Sequence, residues 1–126
     1  MEKSAKVLVA LAYFLTLTLV DIVVVEGYYR PAGAWNTIWV WHTIFDIFAF
    51  VMPCLIALRF RTRLPLLVPV LCAFGVEDTA FYWLQLRWPT TYTGVFILWL
   101  WAPPIQLVLP INLIGIALAY AIVTVS

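Results

Sequence analysis

Residues 7–28 read VLVALAYFLTLTLVDIVVVEGY, a run of 22 positions in which Asp21 and Glu26 are the charged residues. The hydrocarbon core of a bilayer is crossed by about 20 predominantly apolar residues in helical form. The run is therefore long enough to span, and about twice the length of a signal-peptide core. It is read as a retained first helix that follows the short basic stretch carrying Lys3 and Lys6. Three more apolar windows follow, at 37–58, 64–86 and 95–125. Across the chain 66% of residues are hydrophobic and 10% charged, with a mean hydropathy of +1.06. A water-soluble domain of this size has too few polar side chains in such a composition to cover its surface. The expected fold is all-α: residues 1–126 as one domain, an integral bundle of four transmembrane helices in the cell membrane, with the lipid bilayer as its first partner.

Breakers and charges punctuate the windows. Arg30, Pro31 and Gly33 end the first helix, and Arg59, Arg61 and Arg63 follow the second. Pro65 falls in the first turn of the third, where a missing N–H costs nothing, and Pro69 is expected to bend it. Pro103, Pro104 and Pro110 are expected to kink the fourth. Lys3, Lys6, Arg59, Arg61 and Arg63 fall on one side of the bundle, against Arg30 and Arg87 on the other. Cytoplasmic loops collect basic residues, so both termini are expected to be cytoplasmic. Trp35, Trp39, Trp41, Trp83, Trp88, Trp99 and Trp101 then lie toward the outer ends of the helices. Two readings stand, an interfacial aromatic belt and an outward-opening aromatic cavity.

The net charge of +1 and the absence of a basic run exclude a nucleic-acid footprint. Cys54 and Cys72 lack the spacing of a metal or redox motif and read as apolar packing. His42 with three carboxylates would make an oxygen-rich set suited to iron or manganese, yet the ExxH pairs of di-iron bundles are missing. No metal ligand and no cofactor is assigned, and a carboxylate–histidine metal protein stays as an alternative.

Five of the six acidic residues, Asp21, Glu26, Asp46, Glu77 and Asp78, lie inside the expected spans, whereas every Lys and Arg lies at a helix end or in a link. A charge near the middle of a span costs about 2.5–3.5 kcal/mol even on lenient insertion scales, so it requires a role or a partner. At 1.5 Å per residue, Asp21, His42, Asp46, Glu77, Asp78 and Gln106 all fall about 8–16 Å below the outer ends of their helices. Glu26 lies nearer the surface. His42 and Asp46 are one turn apart and share a face. Glu77 and Asp78 diverge by about 100°, so one of them faces the bundle centre, and Glu77 is favoured because Ala73 and Gly75 permit close helix approach. Several carboxylates in a medium of low dielectric need protons, a metal ion, or Arg30 and Arg87 as counter-charges. Alternatively they act as interhelical glue, with Thr16, Thr18, Thr43, Thr79, Gln106 and Asn112 as partners.

The segment Val76-Glu77-Asp78-Thr79-Ala80-Phe81-Tyr82 resembles the short acidic motif of the small membrane-embedded lycopene cyclases, an acidic pair followed by an aromatic pair. Gly75 stands where that family has a proline, and the likeness covers seven residues. It implies that Glu77 and Asp78 supply the acid and base of a cyclisation in carotenoid biosynthesis. His42 and Asp46 one turn apart, Glu77 on the next helix and the helix end at Glu26 are similar to the emopamil-binding sterol isomerase family. There an aspartate departs from that family's glutamate, and the spacing between helices is shorter. Both likenesses imply cyclase- or isomerase-type proton transfer on an isoprenoid-like or other lipid ligand.

The expected catalytic residues are Glu77, Asp78, Asp46 and His42. The expected ligand-binding residues are Asp21, Glu26, Tyr82, Trp83, Trp39 and Gln106. The rival reading is a non-catalytic subunit of a larger membrane complex or a homo-oligomer, whose buried acids meet a partner's basic residues. Topology is the first testable point: in cells, an impermeant thiol reagent should label cysteines introduced at Gly33 and Thr91 but not at Arg61. Labelling at Arg61 alone would invert the orientation.

Overall fold

The computed structural model describes residues 2–87 and 105–126, and every regular element among them is helical. Helix α1 (Lys3–Ala32) and α2 (Trp35–Phe60) are long and apolar enough to cross a membrane, as is the last helix, Val108–Val125. The third window is divided into α3 (Leu64–Ala73) and α4 (Val76–Trp83), bent by 75°; the last helix is α5. Most side chains on the three long helices face outward, among them Leu8, Val23, Leu58 and Leu113, as a lipid-facing surface requires.

Helices α1 and α2 end in the same way. Gly33 takes the left-handed conformation (φ +64°) and the Ala34 N–H returns to the Tyr29 carbonyl at 3.1 Å. Arg61 is also left-handed (φ +51°), and the Thr62 N–H returns to the Ala57 carbonyl at 3.1 Å. These closures satisfy carbonyls that a helix end would otherwise leave unpaired.

Each of these two helices also contains one widened π turn, Val25–Tyr29 in α1 and Ile47–Val51 in α2. The second has a visible cause in Pro53. The Met52 N–H reaches the Ile47 carbonyl, so the next bond in register would run from residue 53 to Phe48, and proline has no N–H to make it. The Tyr13 hydroxyl of α1 donates to the Phe48 carbonyl instead.

The third window departs from expectation in where it bends. Pro69 is buried inside α3 without breaking it; the break falls at Phe74 and Gly75, where Gly75 adopts φ +76°. A glycine reaches this conformation without the steric penalty of a Cβ. Neither half alone reaches across the roughly 30 Å hydrocarbon core, so the third window counts as a crossing only as a bent pair.

Asn112 of α5 closes the break. Its side-chain nitrogen donates to the Phe74 carbonyl at 2.8 Å, and its oxygen accepts from the Thr79 hydroxyl. Both Asn112 and Thr79 are buried. Gly115, one turn further along α5, lets Phe74 approach so closely that an added Cβ would lie 2.5 Å from the Phe74 Cβ. The close helix approach thus occurs at Gly115, whereas Gly75 serves as the hinge. Pro110 lies in the first turn of α5, where it needs no kink. The expected kinks at Pro103 and Pro104 lie outside the described residues.

The core cluster joins Ala10 of α1, Leu67 and Leu71 of α3 and Ala119 of α5, with Val7, Ile122 and Val123 packed on it. The first turns of α1 therefore meet the last turns of α5, which brings both ends of the described chain to one end of the bundle.

Asn112→Leu should destabilise the protein by about 1–3 kcal/mol, since it leaves a buried carbonyl and hydroxyl unpaired. Leu113→Ala, on the exposed face, should cost under about 0.5 kcal/mol. Unfolding in mixed micelles measures both, and equal losses would show that the Asn112 bonds contribute nothing.

Candidate carboxyl cluster at the helix break

The break determines where the acids sit. Because α4 begins at Gly75 inside the bundle, Glu77 and Asp78 occupy its first turn. The free N–H groups and the positive dipole end of a helix favour negative charge there. The half-helix thus supplies part of the countercharge expected of a cation, in the manner of discontinuous helices that bind anionic groups inside membranes.

Glu77 is the inward member of the pair, 4% exposed, while Asp78 is half-buried. The Glu77 carboxyl lies within hydrogen-bonding reach of those of Asp78 and Asp21. Its Oε1 is buried and has no hydrogen-bond partner among the described residues. Asp21 joins three helices: it projects from α1, meets Glu77 of α4, and accepts a 2.7 Å bond from the Trp41 indole N–H of α2. His42, next to Trp41, lies in electrostatic range of Asp21 and Asp46. Cys72, in the last turn of α3, is in range of Asp21, Asp46, Glu77 and Asp78. The polar groups of α1, α2, α3 and α4 thus converge on one region. Among the described residues, no three or more His, Cys, Asp or Glu side chains are arranged to hold a metal ion.

The arginines do not reach this depth. Arg30 pairs with Glu26 one turn earlier on α1, and Arg87 crosses from the end of α4 to the same carboxylate at 2.7 Å. Arg87 also donates to Gln85 at 3.0 Å, and its guanidinium stands 5.4 Å from the Tyr82 ring centre. Arg30 stands 5.4 Å from the Trp35 ring. The structure commits Glu26 and Tyr82, both expected ligand-binding residues, to this ionic and aromatic layer above the deeper acids.

The remaining expected residues are more dispersed. Trp39 and Trp83 are 66% and 52% exposed, and Trp35 is exposed as well, as in an interfacial belt. Among the described tryptophans, Trp41 is the one that turns inward. Trp88, Trp99 and Trp101 lie outside the described residues. Gln106 is exposed in the turn before α5, so the amide that this helix delivers to the interior is Asn112, six residues later.

Between α1 and α2 lies a groove of about 480 Å³ lined by Val24, Gly27, Tyr28, Tyr29, Trp41 and Ile44 among others. Trp41 therefore both walls this groove and bonds Asp21. A second groove, of about 460 Å³, lies between the start of α1 and the link from α2 to α3. Neither lining contains Asp46, Glu77 or Asp78.

Asn112 and Cys72 are the two participants that the sequence signals least. Asn112 is a lone amide in an apolar helix, which marks it as glue without naming its partners. Cys72 becomes a neighbour of the acids because the chain turns by 75° just after it. No protein-family profile, curated protein or solved structure matches the chain.

Proposed function

We propose that this is a four-crossing protein of the cell membrane, both termini cytoplasmic, that performs acid–base chemistry on a hydrophobic, isoprenoid-like or lipid ligand. The observation that carries the reading is the buried Glu77 carboxyl, its Oε1 unpartnered among the described residues while Asp21 and Asp78 lie in hydrogen-bonding reach. A contact between two carboxyl groups becomes a hydrogen bond when one of them holds a proton. The cluster is thus built to store a proton and to keep a carboxylate beside it. The placement of both described ends at one end of the bundle supports an even number of crossings, and the five basic residues there support a cytoplasmic face.

In this mechanism Glu77 donates its proton to a carbon–carbon double bond of the ligand, leaving a carbocation. A neighbouring carbon then loses a proton to Asp78 or Asp21, which restores the double bond at a new position or closes a ring. Proton count and charge return to their starting values. Trp41 and the Phe81–Tyr82 pair offer aromatic faces to the cation. The groove walled by Trp41 is the ligand's route from the outer leaflet, and the proton taken up by Asp78 or Asp21 passes back to Glu77 within the cluster.

The resemblance of residues 76–82 to the lycopene cyclase motif supports the same chemistry, as does the likeness of His42, Asp46 and Glu77 to the sterol isomerase arrangement.

Proton transfer to carbon leaves a mark in heavy water. Purified protein in micelles, incubated in D2O with a total lipid extract of its own host membranes, should place carbon-bound deuterium in a neutral lipid, read by mass spectrometry. Glu77→Gln should abolish incorporation at normal protein levels, and Asp78→Asn should reduce it less. Incorporation no greater than in a protein-free control, together with stoichiometric co-purification of another membrane protein, would replace the enzyme by the complex-subunit reading.

A further inference from the structure

The second groove lies at the opposite end of the bundle from the carboxyl cluster and takes no part in the chemistry above. It is formed where the start of α1, the last turns of α2 and the start of α3 fail to close on one another. Val9, Tyr13, Ile56 and Phe60 give it apolar walls, and Thr62 and Lys6 stand among the lining residues. Its volume of about 460 Å³ is within the range of small-molecule sites. Pro53 and Pro65 also line it, so residues lacking N–H groups hold part of its wall.

Charge distinguishes this groove from an ordinary furrow between lipid-facing helices. Lys6 is exposed, and among the described residues no carboxylate pairs with it. Lys3 lies one turn earlier on α1, and Arg59, Arg61 and Arg63 surround the link that forms the far wall, all of them exposed. An apolar groove whose lining contains one basic side chain, Lys6, complements an acyl chain ending in an anionic headgroup. Basic residues between helix ends attract anionic lipid by about 1 kcal/mol each.

We propose that this groove is a binding site for an anionic phospholipid, with one acyl chain between Val9, Ile56 and Phe60 and the phosphate on Lys6. The site does not depend on the acid–base reading or on which side of the membrane it faces.

The test uses the protein in phosphatidylcholine vesicles with trace phosphatidylglycerol or phosphatidylcholine carrying a photoactivatable acyl chain, and cross-links are mapped by peptide mass spectrometry. Phosphatidylglycerol should label the groove about fivefold more than phosphatidylcholine, the discrimination expected of one basic contact. Lys6→Gln should remove that preference, while Lys6→Arg and Lys3→Gln should keep it. Val9→Trp, at an exposed wall position that tolerates bulk, should reduce groove labelling by both lipids. Equal labelling by the two lipids would overturn the proposal, as would a preference that survives Lys6→Gln. Unchanged labelling in Val9→Trp would equally overturn it, by showing surface attraction without a groove.

Discussion

In lipid, a backbone that leaves its helical ladder has no water to turn to, and each carbonyl or N–H must find a partner within the protein. The Phe74–Gly75 break meets this requirement through Asn112, which pairs with the Phe74 carbonyl on one side and the Thr79 hydroxyl on the other. Gly115 makes this possible, since the approach of Phe74 leaves no space for a Cβ. The same rule explains Tyr13, which supplies a donor where Pro53 cannot.

A helix that starts inside the bundle creates an N-terminus there, and the acids follow from that placement. Glu77 and Asp78 sit where a half-helix presents unpaired N–H groups and the positive end of its dipole. Asp21 and Trp41 bind this turn to the two long helices. The arginines are held one layer higher by Glu26. The layer of Glu26, Arg30, Arg87 and Tyr82 lies above the inner acids, which have the N-terminus of α4 beside them. Fold and site are in this sense one construction, because straightening the third window would remove both the dipole and the convergence of carboxyls.

Much of this was legible in the sequence, and the rest was hidden for identifiable reasons. Hydropathy alone locates α1 and α2, because a predominantly apolar run of 22 residues such as 7–28 admits one solution in lipid. The acids stand out as a costly layer, and the sequence favours Glu77 as the inward member without settling it, because the close approach it suggests at Gly75 occurs instead at Gly115. Proline in the sequence misdirects the search for the bend. Pro69 remains inside α3, while the break requires left-handed backbone and so falls at Gly75. Gln106 and Asn112 look alike as polar residues in an apolar run. Six residues, under two turns, separate the exposed position from the buried one, and only packing against α4 decides between them. The bond from Trp41 to Asp21 joins different helices, and no local periodicity encodes it.

The central claim is that Glu77, Asp21 and Asp78 hold a shared proton at the helix break. Infrared titration of the carboxyl stretching region in D2O tests it most directly, because a protonated carboxyl absorbs apart from carboxylate. The account predicts a protonated-carboxyl band in the wild type at neutral pH that disappears in Glu77→Gln and persists in Glu26→Gln. A wild-type spectrum without that band, or a band indifferent to the Glu77 substitution, would contradict it.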